Sequence, residues 1–339
     1  MISLLVVNYR SATLAAEAIR TARAATSAPL QVVVVDNSNE ADALRPHADV
    51  VIASATNRGY AGGINDGRRA CAGEVIIACN PDVTFAAGAI DALTAELASG
   101  VAVAGPALFW DDAHTWLLPP GDLHTGREKL DEVLATRSAK WAAQRARRRF
   151  LRRVAFWSAT ETRAVDALSG AVLAIRADAF DALGGFDERF ALYFEETDFL
   201  RRAAEQRMRI SYVPRARCRH LYNQSAGQVA GEAAARYAQS ELRYLEKWNG
   251  PFLARLLKRL EQPRPFPPRG GEKVPEGRMR GLVLEASPLP NFDTAAGKFA
   301  DAPDLTIPQE VAATWRGGPL YLRAVTPDGE VLTTLEWRP

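Results

Sequence analysis

Two short segments, Ile2 to Val7 (ISLLVV) and Gln31 to Val35 (QVVVV), are almost continuously apolar and rich in β-branched residues. Strands that read this way are buried on both faces of a parallel sheet. Between them, Thr13 to Ala25 is Ala-rich, with apolar positions at helical spacing. The three segments predict a β-α-β unit with a right-handed crossover. The alternation continues with strands at Val50 to Ala53, Glu74 to Cys79 and Val101 to Gly105, and helices at Gly62 to Ala72 and Ala86 to Ala98. This pattern predicts an α/β fold: a mostly parallel sheet with helices on both faces.

The pattern breaks after Trp110. Residues 111–125 carry Asp, Pro, Gly and His and read as loop, and residues 127–153 read as one or two helices. From Arg137 to Arg153 there are eight basic residues and no acidic ones. Further segments follow: Val165 to Ile175, helices at Ala177 to Leu183 and Glu195 to Gln206, a strand at Ile210 to Val213, and a long helix at Glu232 to Trp248. Five prolines and two consecutive glycines between Pro263 and Pro275 read as a linker. Beyond it, Gly281 to Glu285, Leu320 to Ala324 and Val331 to Trp337 are strand-like, separated by Gly- and Pro-containing turns, with no apolar periodicity of helix length. The expected layout is an α/β domain over 1–255 with a basic helical insertion at about 111–160, a linker over 256–278, and a small β-rich module over 279–339.

Composition excludes several classes. With 42 basic and 40 acidic side chains the net charge is +2, so the basic excess of a nucleic-acid binder is absent. Three well-separated cysteines give neither a disulfide framework nor zinc spacing, and suit a reducing cytoplasm. The run Ile2 to Val7 is too short for a signal sequence, and no stretch reaches the ~18 apolar residues of a membrane span. A soluble or at most peripheral protein is expected.

Five constellations could carry chemistry. Val35-Asp36-Asn37-Ser38 closes a buried strand, where open α/β sheets bind ligands. Alone, Asp-Asn-Ser is more often an Asx turn or a helix cap. Asn57 to Gly67 (NRGYAGGINDG) clusters glycines before a helix, which allows close backbone approach, and helix N-terminal amides attract phosphate. It is not a dinucleotide fingerprint, because the first strand runs into Asn8-Tyr9-Arg10-Ser11. Asn80-Pro81-Asp82 puts a carboxylate after a strand, where it serves either a β-turn or a divalent ion. Glu195, Glu196 and Asp198 crowd a helix start. Helix dipoles tolerate acids there, yet mutual repulsion shifts such carboxyls and makes general bases of them. Glu195 and Asp198 share a face while Glu196 points about 100° away, so one acid can be held while its neighbour meets a substrate. His220, in Arg217-Cys218-Arg219-His220, becomes a ligand candidate only if it lies near Asp82.

In this order, the segments resemble the family 2 glycosyltransferases of GT-A fold, and within them the rhamnosyltransferase-like branch of bacterial cell-surface polysaccharide synthesis. The resemblance rests on VVNYR at 6–10, VVDNS at 34–38, NRGYAGGINDG at 57–67, CNPDV at 79–83, LSGAVLAIR at 168–176, GGFDERFALYFEETDF at 184–199 and His220, and covers roughly residues 1–225.

The resemblance implies a Rossmann-like catalytic domain and an inverting transfer of a sugar from a nucleotide-diphosphate sugar to a hydroxyl of a glycan or lipid-linked glycan. It makes Asp36 the acid that contacts the nucleoside base. Asn8, Tyr9, Asn37, Asn57, Arg58, Gly59, Gly63, Asn65 and Asn80 are implied as further lining of the nucleotide-sugar site. Asp82 matches the last acid of the family's D-x-D motif, with His220 completing a site for Mg²⁺ or Mn²⁺. Glu196 matches the catalytic base, with Glu195 and Asp198 beside it. Two departures stand out: Asn80 replaces the first acid of D-x-D, and the base position carries Glu196 where Asp is the family residue, which keeps Asp198 as a fallback. Rhamnose carried by dTDP is the donor favoured by the branch.

Two alternatives stay open: a nucleotidyltransferase that makes nucleotide sugars, and an inactive GT-A-like carbohydrate-binding scaffold. The run Arg145 to Arg153 is a candidate for peripheral contact at the inner face of the cell membrane, or for a subunit contact in a homo-oligomer.

Overall fold

A computed structural model describes residues 1–190, 192–222, 230–261 and 281–338, with side chains in the helix after 230 described from 235. Pro263 to Pro275, read above as linker, lies outside the described residues.

In chain order the elements are β1 (Ile2–Asn8), α1 (Ala12–Ala24), β2 (Leu30–Asp36), α2 (Ala41–Leu44), β3 (Val50–Ala53), α3 (Gly59–Arg68), β4 (Val75–Cys79), β5 (Val83–Phe85), α4 (Ala89–Ala98) and β6 (Val103–Phe109). The insertion gives α5 (Gly126–Arg137) and α6 (Ala139–Trp157). Next come β7 (Arg163–Ala164), β8 (Val172–Arg176), α7 (Ala177–Ala182), α8 (Glu195–Glu205), β9 (Ile210–His220), α9 (Ala230–Asn249) and α10 (Pro251–Leu260). The chain closes with β10 (Leu282–Ser287), β11 (Ala296–Ala300), α11 (Gln309–Thr314), β12 (Leu320–Val325) and β13 (Val331–Trp337).

The large sheet runs β3-β2-β1-β4-β8-β6-β9-β5, with β7 on β9. Strands β1 to β4 are mutually parallel, β6 and β9 are parallel, and β8 runs antiparallel between β4 and β6. Leu4, Val6, Val32 and Val34 belong to the core on one face, and Leu5, Val7, Val33 and Val35 to the core on the other. This is why these strands carry no polar alternation. Helix α3 lies close on β1 because of its glycines: a Cβ on Gly63 would fall 2.7 Å from Val7 Cγ1, and one on Gly67 2.2 Å from Leu5 Cδ1.

The C-terminal module is a four-stranded antiparallel sheet, β11-β10-β12-β13. The β-rich module also contains a short helix, α11, whose Val311 is buried, and α10 runs on to Leu260, beyond the expected boundary at 255. The module is also built into the rest of the molecule. Leu117 bonds reciprocally with Gly297 (2.7 and 2.8 Å), joining the edge of β6 to β11. The Trp110 and Trp315 rings meet edge to face at 5.6 Å. A Cβ on Gly297 would strike the Trp157 ring at 2.2 Å.

The same packing answers the basic run. Arg145 and Arg149 pair with Asp293, Arg149 and Arg152 with Asp122, Arg148 with Asp131, and Arg153 with Glu285. The compensating acids come from elsewhere in the chain, so a count within the run could not see them. Glu285 is fully buried between Arg153 and Arg323, at 2.5 Å from each.

A carboxylate cluster at the carboxyl edge of the sheet

Strands β2, β1 and β4 are neighbours and end at one edge, so Asp36, Asn8 and Asn80 meet there. Asn8 Nδ2 donates to Asp36 Oδ1 at 3.0 Å, and the Ser38 hydroxyl donates to the same oxygen at 2.8 Å. The Ser38 and Glu40 backbone amides donate to the two carboxylate oxygens at 3.0 and 2.6 Å. Burial pushes the Asp36 carboxyl up, but these four donors outweigh it and hold the group below its ordinary value. Asp36 is therefore a preorganised acceptor. The Oδ1 atoms of Asn8 and Asn37 are buried without a partner, which is unusual enough to mark a place for a donor. Tyr9 is exposed beside them, with the Arg10 guanidinium over its ring.

The glycine-rich segment serves a different purpose from phosphate cradling alone. Asn57 turns the chain into α3 by accepting from the Gly59 amide at 2.9 Å, and Gly59 takes a φ of +72°. Gly63 turns into the core against Val7, away from the edge. Asn65 clasps Phe186 through both backbone groups (2.8 and 2.9 Å). Arg58 bridges Asp66 and Glu188, each at 2.6 Å. Arg58 and Asn65 thus tie α3 to the Gly184–Glu188 turn that leads into the acid cluster.

Asn80 follows β4, and its amide donates to Ala171 O at 2.9 Å. That bond brings the Ser169-Gly170-Ala171 turn before β8 to the same edge. Gly170 then abuts Glu196: a Cβ there would lie 2.8 Å from Glu196 Cγ. Asp82 faces His220, Oδ1 to Nε2 at 3.3 Å, because Val83 pairs with His220 across β5 and β9. Among the described residues no group of three or more His, Cys, Asp or Glu is placed to hold a metal. One carboxylate and one imidazole nevertheless fit a divalent ion whose remaining ligands come from a diphosphate.

The three acids at the start of α8 separate into two kinds. Asp198 is fully buried and accepts from Arg202 Nε (2.8 Å) and Trp248 Nε1 (2.9 Å), with Lys247 Nζ at 2.7 Å. Its oxygens are committed to the scaffold. Glu195 and Glu196 each keep an Oε2 that is buried and unpartnered. Burial, joined at Glu195 by the neighbouring Glu196 charge, pushes this pair above the usual carboxylate range. Two consecutive left-handed residues, Tyr193 (φ 67°) and Phe194 (φ 69°), deliver the pair. Such non-glycine conformations cost about 1–3 kcal/mol each and persist only where the surroundings impose them. Here Phe194 is clamped by the rings of His124, Tyr237 and Tyr244 at 5.0 to 5.3 Å.

Sequence reasoning passed over Tyr60 and Gly170 as individual site residues. The Tyr60 hydroxyl is buried without a partner. Burial first, then Cys79, Glu195, Glu196 and Asp82, push its phenol well above the ordinary value. One phenol thus lies within electrostatic reach of both the acid pair and the Asp82–His220 pair. Both residues stood inside the quoted motifs, but nothing local distinguished them from their neighbours.

The chain is similar to known proteins. A family described as "Glycosyltransferase like family 2" matches residues 1–243. Two curated proteins from Mycobacterium tuberculosis strains, both N-acetylglucosaminyl-diphospho-decaprenol L-rhamnosyltransferases, are 26% identical over 242 residues, covering 65% of this chain and 76% of theirs. Among solved structures, the mannosyltransferase PcManGT from Pyrobaculum calidifontis, in complex with GDP-Man and Mn²⁺, has a TM-score of 0.45 and 16% identity, covering 76% of this chain and 73% of that one. TarS 1–349 from S. aureus has a TM-score of 0.42 and 15% identity, covering 73% and 70%.

Proposed function

The chain belongs to glycosyltransferase-like family 2, and from that premise we propose that it moves a sugar from a nucleotide-diphosphate donor to an acceptor hydroxyl with inversion, Glu196 acting as base. The observation that carries this reading is one edge that holds a carboxylate preorganised by four donors, Asp36, and an unpartnered carboxyl of raised proton affinity, Glu196.

The chemistry balances. The acceptor oxygen forms a bond to the anomeric carbon while the bond from that carbon to the diphosphate oxygen breaks. The acceptor proton passes to a Glu196 oxygen, and the diphosphate leaves with the bonding pair. The transition state is oxocarbenium-like, and attack opposite the leaving group inverts the centre. A carboxyl with raised affinity for its proton is a stronger base than an ordinary glutamate once ionised. Asp198 positions the start of α8, and Glu195 places a second carboxyl beside Glu196.

Asp82 and His220 would hold Mg²⁺ or Mn²⁺, with Asn80 alongside as a neutral ligand or diphosphate contact. A divalent ion bound there supplies electrostatic stabilisation of the departing diphosphate. Asp36 with Asn8 and Asn37 would read the nucleoside. Tyr9, Asn57 and Gly59 line the same edge, while Arg58, Gly63 and Asn65 act by shaping it.

A role in cell-surface glycan synthesis, with rhamnose as the sugar, has the likeness to the mycobacterial rhamnosyltransferases in its favour. The lipid-linked acceptor named for those relatives suits a site reached from a membrane surface. Among the described residues no helix is long and apolar enough to cross one. Peripheral contact through Arg145 to Arg153 has the exposed side chains of Arg148 and Arg152 in its favour and their ion pairs against it. Thermal-shift measurement with a panel of nucleoside diphosphates and their sugars tests the reading. Stabilisation by a nucleotide sugar, with slow release of the nucleoside diphosphate by hydrolysis, is expected; no stabilisation by any member contradicts it and favours an inactive scaffold.

A further inference from the structure

The helix that closes the catalytic domain presents an apolar face to solvent. Around α10, at about 100° per residue, Phe252, Leu253, Leu256 and Leu260 fall within one arc of about 100°. Phe252 is 82% exposed, and Leu253 and Leu256 are exposed at 41% and 40%. Ala254 and Leu257 turn inward and anchor the helix. Arg255 and Arg259 flank the apolar arc on one side, both exposed, and the helix carries no acidic residue between 251 and 260. Lys258, the third cation, is taken up inside by Glu241 (2.6 Å) and Glu261 (3.1 Å). The nearby acid Glu246 is engaged by Arg255 at 2.9 Å.

A second element adjoins the same end. Arg137, closing α5, donates to Leu260 O at 2.9 Å, which places the α5–α6 corner at the C-terminus of α10. That corner carries exposed Lys140 and exposed Trp141, whose indole nitrogen is bonded to Asp131. A large aromatic beside a cation is the chemistry of a bilayer interface.

We propose that the exposed face of α10, with Arg255, Arg259 and the Lys140–Trp141 corner, docks on an anionic phospholipid surface. The occupant follows from charge and shape together. An apolar arc with phenylalanine and leucine at its centre and arginines at its rim lies flat in a headgroup layer, burying the apolar side chains while the guanidinia meet phosphates. A protein groove of ordinary acidity would meet the arginines but would need a matching apolar trough. The surface is separate from the carboxyl-edge site, and the proposal holds whether or not Glu196 is the base.

Sedimentation of the full chain with vesicles tests it, using equal parts phosphatidylglycerol and phosphatidylcholine against phosphatidylcholine alone. Wild type should bind the anionic vesicles and release them as salt rises. Phe252→Ser/Leu256→Ser should weaken binding by about tenfold or more, and Arg259→Glu, at an exposed position, should weaken it independently. Arg148→Glu/Arg152→Glu should leave it unchanged. Circular dichroism and thermal unfolding of each variant confirm that the fold survives. Absence of anionic-vesicle binding by wild type overturns the proposal. So does undiminished binding by both α10 variants, or a helix variant whose only effect is loss of a dimer in light scattering, which would assign the face to a second copy of the chain.

Discussion

Asp82 and His220 stand face to face, Oδ1 to Nε2 at 3.3 Å, Asp82 just before β5 and His220 closing β9, which the β5–β9 ladder holds in register. The Leu221 amide donates to Asp82 O at 3.1 Å and fixes the turn. Burial pushes the Asp82 carboxyl up, but His220 beside it holds it below its ordinary value, so the carboxylate stays charged through neutral pH. Asp82→Asn should weaken Mn²⁺ binding in the presence of a nucleoside diphosphate by about tenfold or more, read by electron paramagnetic resonance. Equal Mn²⁺ affinity in the variant would remove Asp82 from the proposed metal site.

Glu195 gives a stability prediction with a definite sign. Its raised folded affinity for a proton means that the folded chain binds that proton more tightly than the unfolded chain. Stability therefore falls as pH rises above the ordinary glutamate value of about 4.3 and through the raised folded value. Glu195→Gln removes the charge and should raise Tm by a few degrees at pH 8, an advantage that shrinks as the pH is lowered towards 5. A variant less stable than wild type at pH 8 contradicts this.

Gly170 is small because Glu196 needs the space. A Cβ at 170 would lie 2.8 Å from Glu196 Cγ and 3.1 Å from its Cβ and Cδ, so Gly170→Ala must displace the Glu196 side chain. Turnover should fall by about 10²-fold, the loss expected of a misplacement of about 1 Å, while affinity for nucleoside diphosphate is kept. Unchanged turnover would show that the Glu196 position is not critical.

The buried Arg153–Glu285–Arg323 triad locks the C-terminal sheet to the insertion. Glu285→Ala leaves two buried guanidinia without their acid and should cost about 3–5 kcal/mol, seen as a large drop in Tm with a single transition. Two separate transitions, or a loss below about 1 kcal/mol, would return the module to the status of a tethered appendage.

Much of this fold is written locally. Continuous Val and Ile runs announced β1, β2 and β3, and Val331 to Trp337 matches β13. Strand β11 was not legible: Ala296-Gly297-Lys298-Phe299-Ala300 has little β-forming character and is extended because Leu282–Ser287 and Leu117 pair with it. Helix α11 is six residues long, too short for a periodic signal. In the candidate site, the placement of Asp36 and Asp82 at strand ends and of the cluster at 195–198 at a helix start could be read because strand ends and helix starts are local features. The division of that cluster could not, since Asp198 is spoken for by Trp248 and Lys247, about fifty residues away. The basic run misled for the same reason: its partners Asp293 and Glu285 lie well over a hundred residues on.

In the proposed mechanism Glu196 takes the acceptor proton. The most direct measurement compares wild type and Glu196→Gln in single-turnover transfer from the nucleotide sugar that most stabilises the protein, with binding of that donor followed in parallel. The transfer rate should fall by about 10²–10⁴-fold, with donor affinity changed by less than about threefold. Transfer at near the wild-type rate by Glu196→Gln would contradict the mechanism.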